Sequence, residues 1–175
     1  MRVFLSYLLL ITFIFIPITV TAKKKGYVGS RACKVCHIKE YNAWKNTGHA
    51  YAFDSLKPLE KHDEKREAGI DHLKDYTVIP KCLQCHVTGF GKAGGFINRR
   101  ESPDMIGVGC EMCHGPGDEY MKIMIDNPQF DKQDAIDAGL QMADKKKCLN
   151  CHNKKNPFFN IRPFNFEEAV QNGIH

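Results

Sequence analysis

Gly107-Val-Gly-Cys110-Glu-Met-Cys113-His114-Gly-Pro-Gly117 is the stretch on which the reading of this chain turns. It sets two cysteines two residues apart, with a histidine directly after the second. The same unit recurs as Cys33-Lys-Val-Cys36-His37, Cys82-Leu-Gln-Cys85-His86 and Cys148-Leu-Asn-Cys151-His152, which together use every cysteine in the chain. Two thiols about one helical turn apart reach the two vinyl groups on one edge of a porphyrin, and the next residue aims its imidazole at the iron. The pattern predicts four covalently bound haem c groups. Their attachment points are Cys33, Cys36, Cys82, Cys85, Cys110, Cys113, Cys148 and Cys151, and their proximal ligands are His37, His86, His114 and His152. Zinc sites need no histidine after each cysteine pair. A redox-active dithiol is expected once and not four times, and disulfides between pairs leave the four histidines unexplained.

Outward from the motifs, the amino terminus carries an address. Met1-Arg2 leads into an apolar run from Val3 to Val20, closed by the small residues of Val20-Thr21-Ala22. This pattern predicts a signal peptide over 1–22 and a single domain over 23–175, with a periplasmic or other extracytoplasmic destination. An uncleaved membrane anchor is the rival reading, because the run approaches the length that spans a bilayer. The chain has 25 Lys and Arg against 20 Asp and Glu. The lysines are scattered among acids and form no basic stripe, which excludes nucleic-acid binding.

Apolar runs are short beyond the leader, and mean hydropathy is −0.38. A conventional core would be thin for a domain of this size. Four macrocycles packed among Tyr41, Trp44, Phe53, Phe90, Phe96, Phe158, Phe159, Phe164 and Phe166 supply the missing apolar surface. The fold class expected is mainly α: short helices and loops packed around four haems, with little strand. Apolar spacing predicts an amphipathic helix from His37 to Phe53 and a charged one over Leu59 to Ala68, started by Pro58 and stopped by Gly69. Further helices are expected over Glu119 to Ile125, Asp134 to Ala143 and Phe166 to Asn172. Gly89-Phe90-Gly91 and Gly94-Gly95-Phe96 read as a loop or small hairpin. The first cysteines fall at 33, 82, 110 and 148, too irregular for a solenoid.

Four histidines remain to face the irons from the other side: His49, His62, His72 and His175. On a continuous helix His49 lies about 18 Å from His37, so it must serve a different haem. His62 sits in a charged run, Lys61 to Arg66, and reads as a solvated position. His72 either points inward or caps a turn. His175, as the last residue, has only the expectation of a frayed end.

The sequence resembles the tetrahaem cytochrome c-554 family of ammonia-oxidising bacteria. The resemblance rests on Gly29 to Cys33 with the first motif, Tyr41-Asn-Ala-Trp44 with Thr47-Gly-His49-Ala50, Ser55-Leu-Lys-Pro58 and Asp75-Tyr-Thr77. Cys85-His86-Val87 with Gly89-Phe90-Gly91, Gly94-Gly95, Glu101-Ser-Pro103 and Gly107 to Gly117 complete it. The resemblance implies a periplasmic electron carrier that takes electrons from hydroxylamine oxidoreductase, with a mostly helical fold and haems in stacked pairs. It implies that His49 ligates the fourth haem, that His175 ligates the third, and that the second, held by His86, has one open face. The family's first haem takes a distal histidine from just beyond its Cys-His-Gly-Pro-Gly motif. Here residues 115–151 contain no histidine. Met121 or Met124 replaces it, His72 swings in, or the first iron is open as well.

The function expected is transfer of single electrons between redox proteins: a hydroxylamine oxidoreductase-like multihaem donor and a membrane or soluble cytochrome as acceptor. No acid–base constellation for substrate chemistry stands out, and no catalytic residue is assigned. A small reductase acting on nitric oxide, nitrite or hydroxylamine at an open iron is one alternative. A membrane-tethered or filament relay is another, favoured if the leader is retained.

Overall fold

The computed structural model describes residues 26–171. Nine short helices follow one another: α1 (Ser30–Cys33), α2 (Ile38–Trp44), α3 (His62–Glu67), α4 (Pro80–His86), α5 (Cys110–His114), α6 (Asp118–Asp126), α7 (Lys132–Asp137), α8 (Lys145–Cys148) and α9 (Phe166–Gln171). Among the described residues there is no strand; one antiparallel bridge joins Val87 to Ile106. The mainly α expectation holds.

All four motifs are helical turns. Motifs two and three lie within α4 and α5. In motifs one and four the helix stops at the first cysteine, yet the turn is completed. The His37 amide donates to the Cys33 carbonyl at 2.9 Å and the His152 amide to that of Cys148 at 3.0 Å. Local chemistry starts and stops these turns. Pro80 opens α4, Asp144 accepts from the Lys147 amide at 2.8 Å at the start of α8, and Gly115, at φ 79°, ends α5.

Three expected helices are shorter than their apolar spacing suggested. The helix expected from His37 to Phe53 ends at Trp44. Asn46 and Thr47 side chains donate to the carbonyls of Asn42 (3.0 Å) and Trp44 (2.7 Å), offering the backbone an alternative to a longer helix. His49 therefore does not share a helix with His37. The helix expected from Leu59 starts at His62, because Leu59 (φ 66°) and Lys61 (φ 50°) adopt left-handed conformations as the Leu59 amide reaches the His72 carbonyl at 2.8 Å. The helix expected over Asp134 to Ala143 spans Lys132–Asp137, opened by an Asp131/Asp134 capping box. The chain then turns at Gly139 (φ 112°), and the Gln141 amide reaches the His114 carbonyl at 2.8 Å.

The core is small and sits around the second motif. Phe53, Leu56, Leu83, Val87, Phe96 and Met105 are buried together, with Tyr27, Tyr76, Phe90 and Ile106 packed against them. Phe53 and Phe96 meet as a tilted pair at 5.8 Å between ring centroids. The Gly89 to Phe96 segment is a loop and not a hairpin: Lys92 bonds back to Gly89, and Phe96 to Thr88. Gly95 allows this closure, since a Cβ there would lie 1.8 Å from the Gly89 carbonyl oxygen.

Two buried polar groups join segments distant in sequence. Glu111, 3% exposed, accepts from the amides of Val28 (2.9 Å), Gly29 (2.8 Å) and Gly117 (2.7 Å). Thr88, 1% exposed, donates to the Gly107 carbonyl and accepts from the Gly109 amide, both at 2.9 Å. The first ties α5 to the approach to α1; the second ties the end of α4 to the start of α5.

Candidate haem centres

Packing brings the four motifs together in pairs. The Cys33 side chain lies beside that of Cys110, bringing motifs one and three together. Cys85 and Cys151 are neighbours in the same way, bringing motifs two and four together. The close neighbour pulls Cys110 down to about 6 and Cys85 down to about 7, while it pushes Cys33 and Cys151 up. Burial and then the nearby Cys148 push Cys113 up, which places motif three beside motif four as well. Cysteines of motifs one and three, three and four, and four and two are thus neighbours.

The histidines are held as iron ligands need. The His86 Nδ1 faces the Ala52 carbonyl at 2.6 Å and the Ser55 hydroxyl at 3.3 Å. The His114 Nδ1 faces the Gln141 carbonyl at 3.2 Å. A carbonyl opposite Nδ1 fixes the proton there and leaves the Nε2 lone pair for a metal. Burial lowers the pKa of His49, His86 and His152, which keeps them as neutral imidazoles, the form that coordinates metal.

His49 and His152 face each other, with ring centroids 6.0 Å apart and planes at 64°. His49 is positioned through its carbonyl, which accepts from the Val108 amide at 2.9 Å just before motif three. Trp44 supports the same junction by donating from Nε1 to the Val108 carbonyl at 2.8 Å. Behind His152 the ring of Phe164 stacks at 4.4 Å. A cleft of about 420 Å³ opens there, lined by His152, Phe158, Phe159 and Phe164.

His72 turns elsewhere. Its ring lies 6.0 Å from that of His62, and His62 in turn contacts Asp63 at 3.1 Å. Met121 and Met124 lie on α6. His175 and the leader, residues 1–22, lie outside the described residues. Opposite His37 stands Tyr120, also on α6, with its hydroxyl 3.4 Å from Nε2. Sequence reading passed over Tyr120 because it sought imidazole and thioether in that segment. The one available signal was its place on the helix directly after Gly117.

The donor set fits a haem at each motif: two thiols and a histidine on one helical turn, with the Nδ1 of His86 and of His114 facing a carbonyl and with aromatic rings beside. Short helices carrying four such units around a thin core define a multihaem c-type cytochrome. The family model described as cytochrome c554 and c-prime matches residues 32–115. Cytochrome c-554 of Nitrosomonas europaea is 37% identical over 134 residues, which is 72% of this chain and 57% of that protein's length. The solved structure of reduced cytochrome c554 from the same organism superposes with a TM-score of 0.73 at 30% identity. The superposition covers 86% of this chain and 84% of that one. The chain belongs to the cytochrome c554 family.

Proposed function

We propose that this chain is an exported tetrahaem electron carrier, in which residues 1–22 are a leader and residues 23–175 the working domain. The observation that carries this reading is the His49–His152 pair, two half-buried imidazoles that meet edge-on at 6.0 Å between centroids. Two imidazoles on one iron occupy both axial positions, so the site accepts and donates electrons without binding substrate.

Cys33, Cys36 and His37 hold the first haem, Cys82, Cys85 and His86 the second, Cys110, Cys113 and His114 the third, Cys148, Cys151 and His152 the fourth. His49 completes the fourth. By family resemblance His175 completes the third, and the second keeps an open face. Haem iron supplies one-electron chemistry when bound. The protein's own residues order and orient the sites. Neighbouring cysteines join motifs one and three, three and four, and four and two, so neighbouring centres share walls. The carbonyls of Ala52 and Gln141 fix the tautomers of His86 and His114. Glu111 fixes the helical turn of motif three to the segment that leads into motif one, and Thr88 fixes the end of motif two to the start of motif three.

The partners are redox proteins. By the same resemblance the donor is a multihaem enzyme of the hydroxylamine oxidoreductase kind, and the acceptor a membrane or soluble cytochrome. Mass spectrometry of protein purified from the exported fraction tests the core of this reading. Four haem increments and a new terminus after Ala22 are expected; unmodified thiols defeat it. Reduction by the proposed donor in stopped flow, faster than by an unrelated reductant of equal potential, tests the partner.

A further inference from the structure

We propose that the phenol oxygen of Tyr120 is the distal ligand of the iron held by His37. This rests on the haem reading above and names the group that the first haem takes in place of a distal histidine. The Tyr120 hydroxyl lies 3.4 Å from His37 Nε2, in hydrogen-bonding position at the nitrogen through which an imidazole ligates. Two axial bonds of about 2 Å each, as in other first-row metal–nitrogen sites, set opposite donor atoms about 4 Å apart. The two atoms therefore need part by only about 0.6 Å to hold a metal between them. Their ring centroids are 6.4 Å apart, with the ring planes at 22°.

Tyr120 is held in this place. Gly117, just before α6, donates to Glu111 at 2.7 Å, and the Asp118 amide donates to the Gly26 carbonyl at 3.3 Å. These contacts fix the start of α6 against the segment that leads into α1 and Cys33. Phe130 packs edge-on against the Tyr120 ring at 5.9 Å. Met121 lies one residue on, about 100° around the helix, and Met124 about 6 Å further along it. His72 is turned towards His62. Of the groups near this position, Tyr120 is the one whose donor atom faces His37.

Tyrosinate is an established haem ligand. On coordination the phenol passes its proton to water, the oxygen takes the axial position in place of water, and no electron moves. An anionic oxygen favours ferric over ferrous iron, so the potential of the first haem falls below that of the same haem with a neutral distal ligand.

The test compares wild-type, Tyr120→Phe and Tyr120→His holoproteins. Mass spectrometry comes first: four haems in each variant keeps the haem reading, and fewer in the wild type defeats that reading and not the ligand assignment. Resonance Raman spectra of the oxidised wild type should show iron–phenolate modes that Tyr120→Phe loses. Tyr120→Phe should also bind one more equivalent of cyanide than wild type and raise one midpoint potential. Tyr120→His should turn the same iron into a low-spin bis-imidazole centre by electron paramagnetic resonance. Four haems in both proteins with identical spectra and cyanide stoichiometry overturn the proposal. So does a wild type without phenolate modes whose first haem is altered by Tyr120→Phe only in potential.

Discussion

Glu111→Gln is the change whose cost follows most directly from the structure. The carboxylate is 3% exposed and takes three amides: Oε1 accepts from Val28 and Gly117, and Oε2 from Gly29 at 2.8 Å. Glutamine keeps one oxygen, which can still serve Val28 and Gly117. Its amino group then meets the Gly29 amide, donor against donor. Hydrogen bonds to a charged group contribute about 1.5–3 kcal/mol each, and a buried donor left unsatisfied costs about 1–3 kcal/mol. The lost bond to Gly29 and its orphaned amide are one penalty of about 1–3 kcal/mol, and weakening the two remaining bonds adds about 1 kcal/mol, for about 2–4 kcal/mol in all. For a chain of this size each kcal/mol moves Tm by about 2–4 °C, so the expected fall is roughly 5–15 °C. Thermal unfolding of the holoprotein by circular dichroism measures it. Hydrogen exchange should show faster exchange confined to peptides containing Val28, Gly29 and Gly117. A Tm within about 2 °C of wild type, or loss of protection spread over the whole chain, refutes the view that this carboxylate locks α5 to the approach to α1.

Other changes probe the remaining contacts. Thr88→Val keeps shape but orphans the Gly107 carbonyl and the Gly109 amide, and should cost about 2–5 kcal/mol in denaturant unfolding. Gly95→Ala drives a methyl to 1.8 Å from the Gly89 carbonyl oxygen, so the recovered yield of holoprotein should collapse. His49→Ala should leave four haems by mass but convert one low-spin iron to high spin in the oxidised electron paramagnetic resonance spectrum; an unchanged low-spin count rules out His49 as a ligand. Lys65 is 3% exposed, and burial holds its pKa below that of a free lysine. The unfolded chain then binds more protons between the depressed native value and the ordinary one, so stability should rise with pH through that alkaline window. Lys65→Met should flatten the rise in Tm-versus-pH scans.

Tyr120 also separates two roles that family likeness alone merges. The chain shares its fold with cytochrome c554 at a TM-score of 0.73, yet residues 115–151 carry no histidine where the family's first haem takes one. If Tyr120 takes that place, a fold that superposes over 84% of the relative's chain has changed the group opposite one iron. Axial identity sets potential, so such a change retunes one centre without rebuilding the protein.

The sequence by itself determined the chemistry. Thioether attachment and proximal ligation are satisfied within five consecutive residues, so each motif is legible without knowing where the chain goes next. Helix class was legible for the same reason, and so were ends such as Pro80 and Gly115, since caps and glycine turns act locally. Tertiary structure decided everything that joins residues far apart in the chain. The helix expected from His37 to Phe53 ends locally at Trp44, and tertiary packing then brings His49 to His152, more than a hundred positions away. It turned the chain at Gly139 so that Gln141 reaches His114, and it placed Tyr120 over His37. Side-chain spacing along a helix says which face a residue occupies, but not what that face will touch. Only packing, which sums many weak long-range contacts, fixes that.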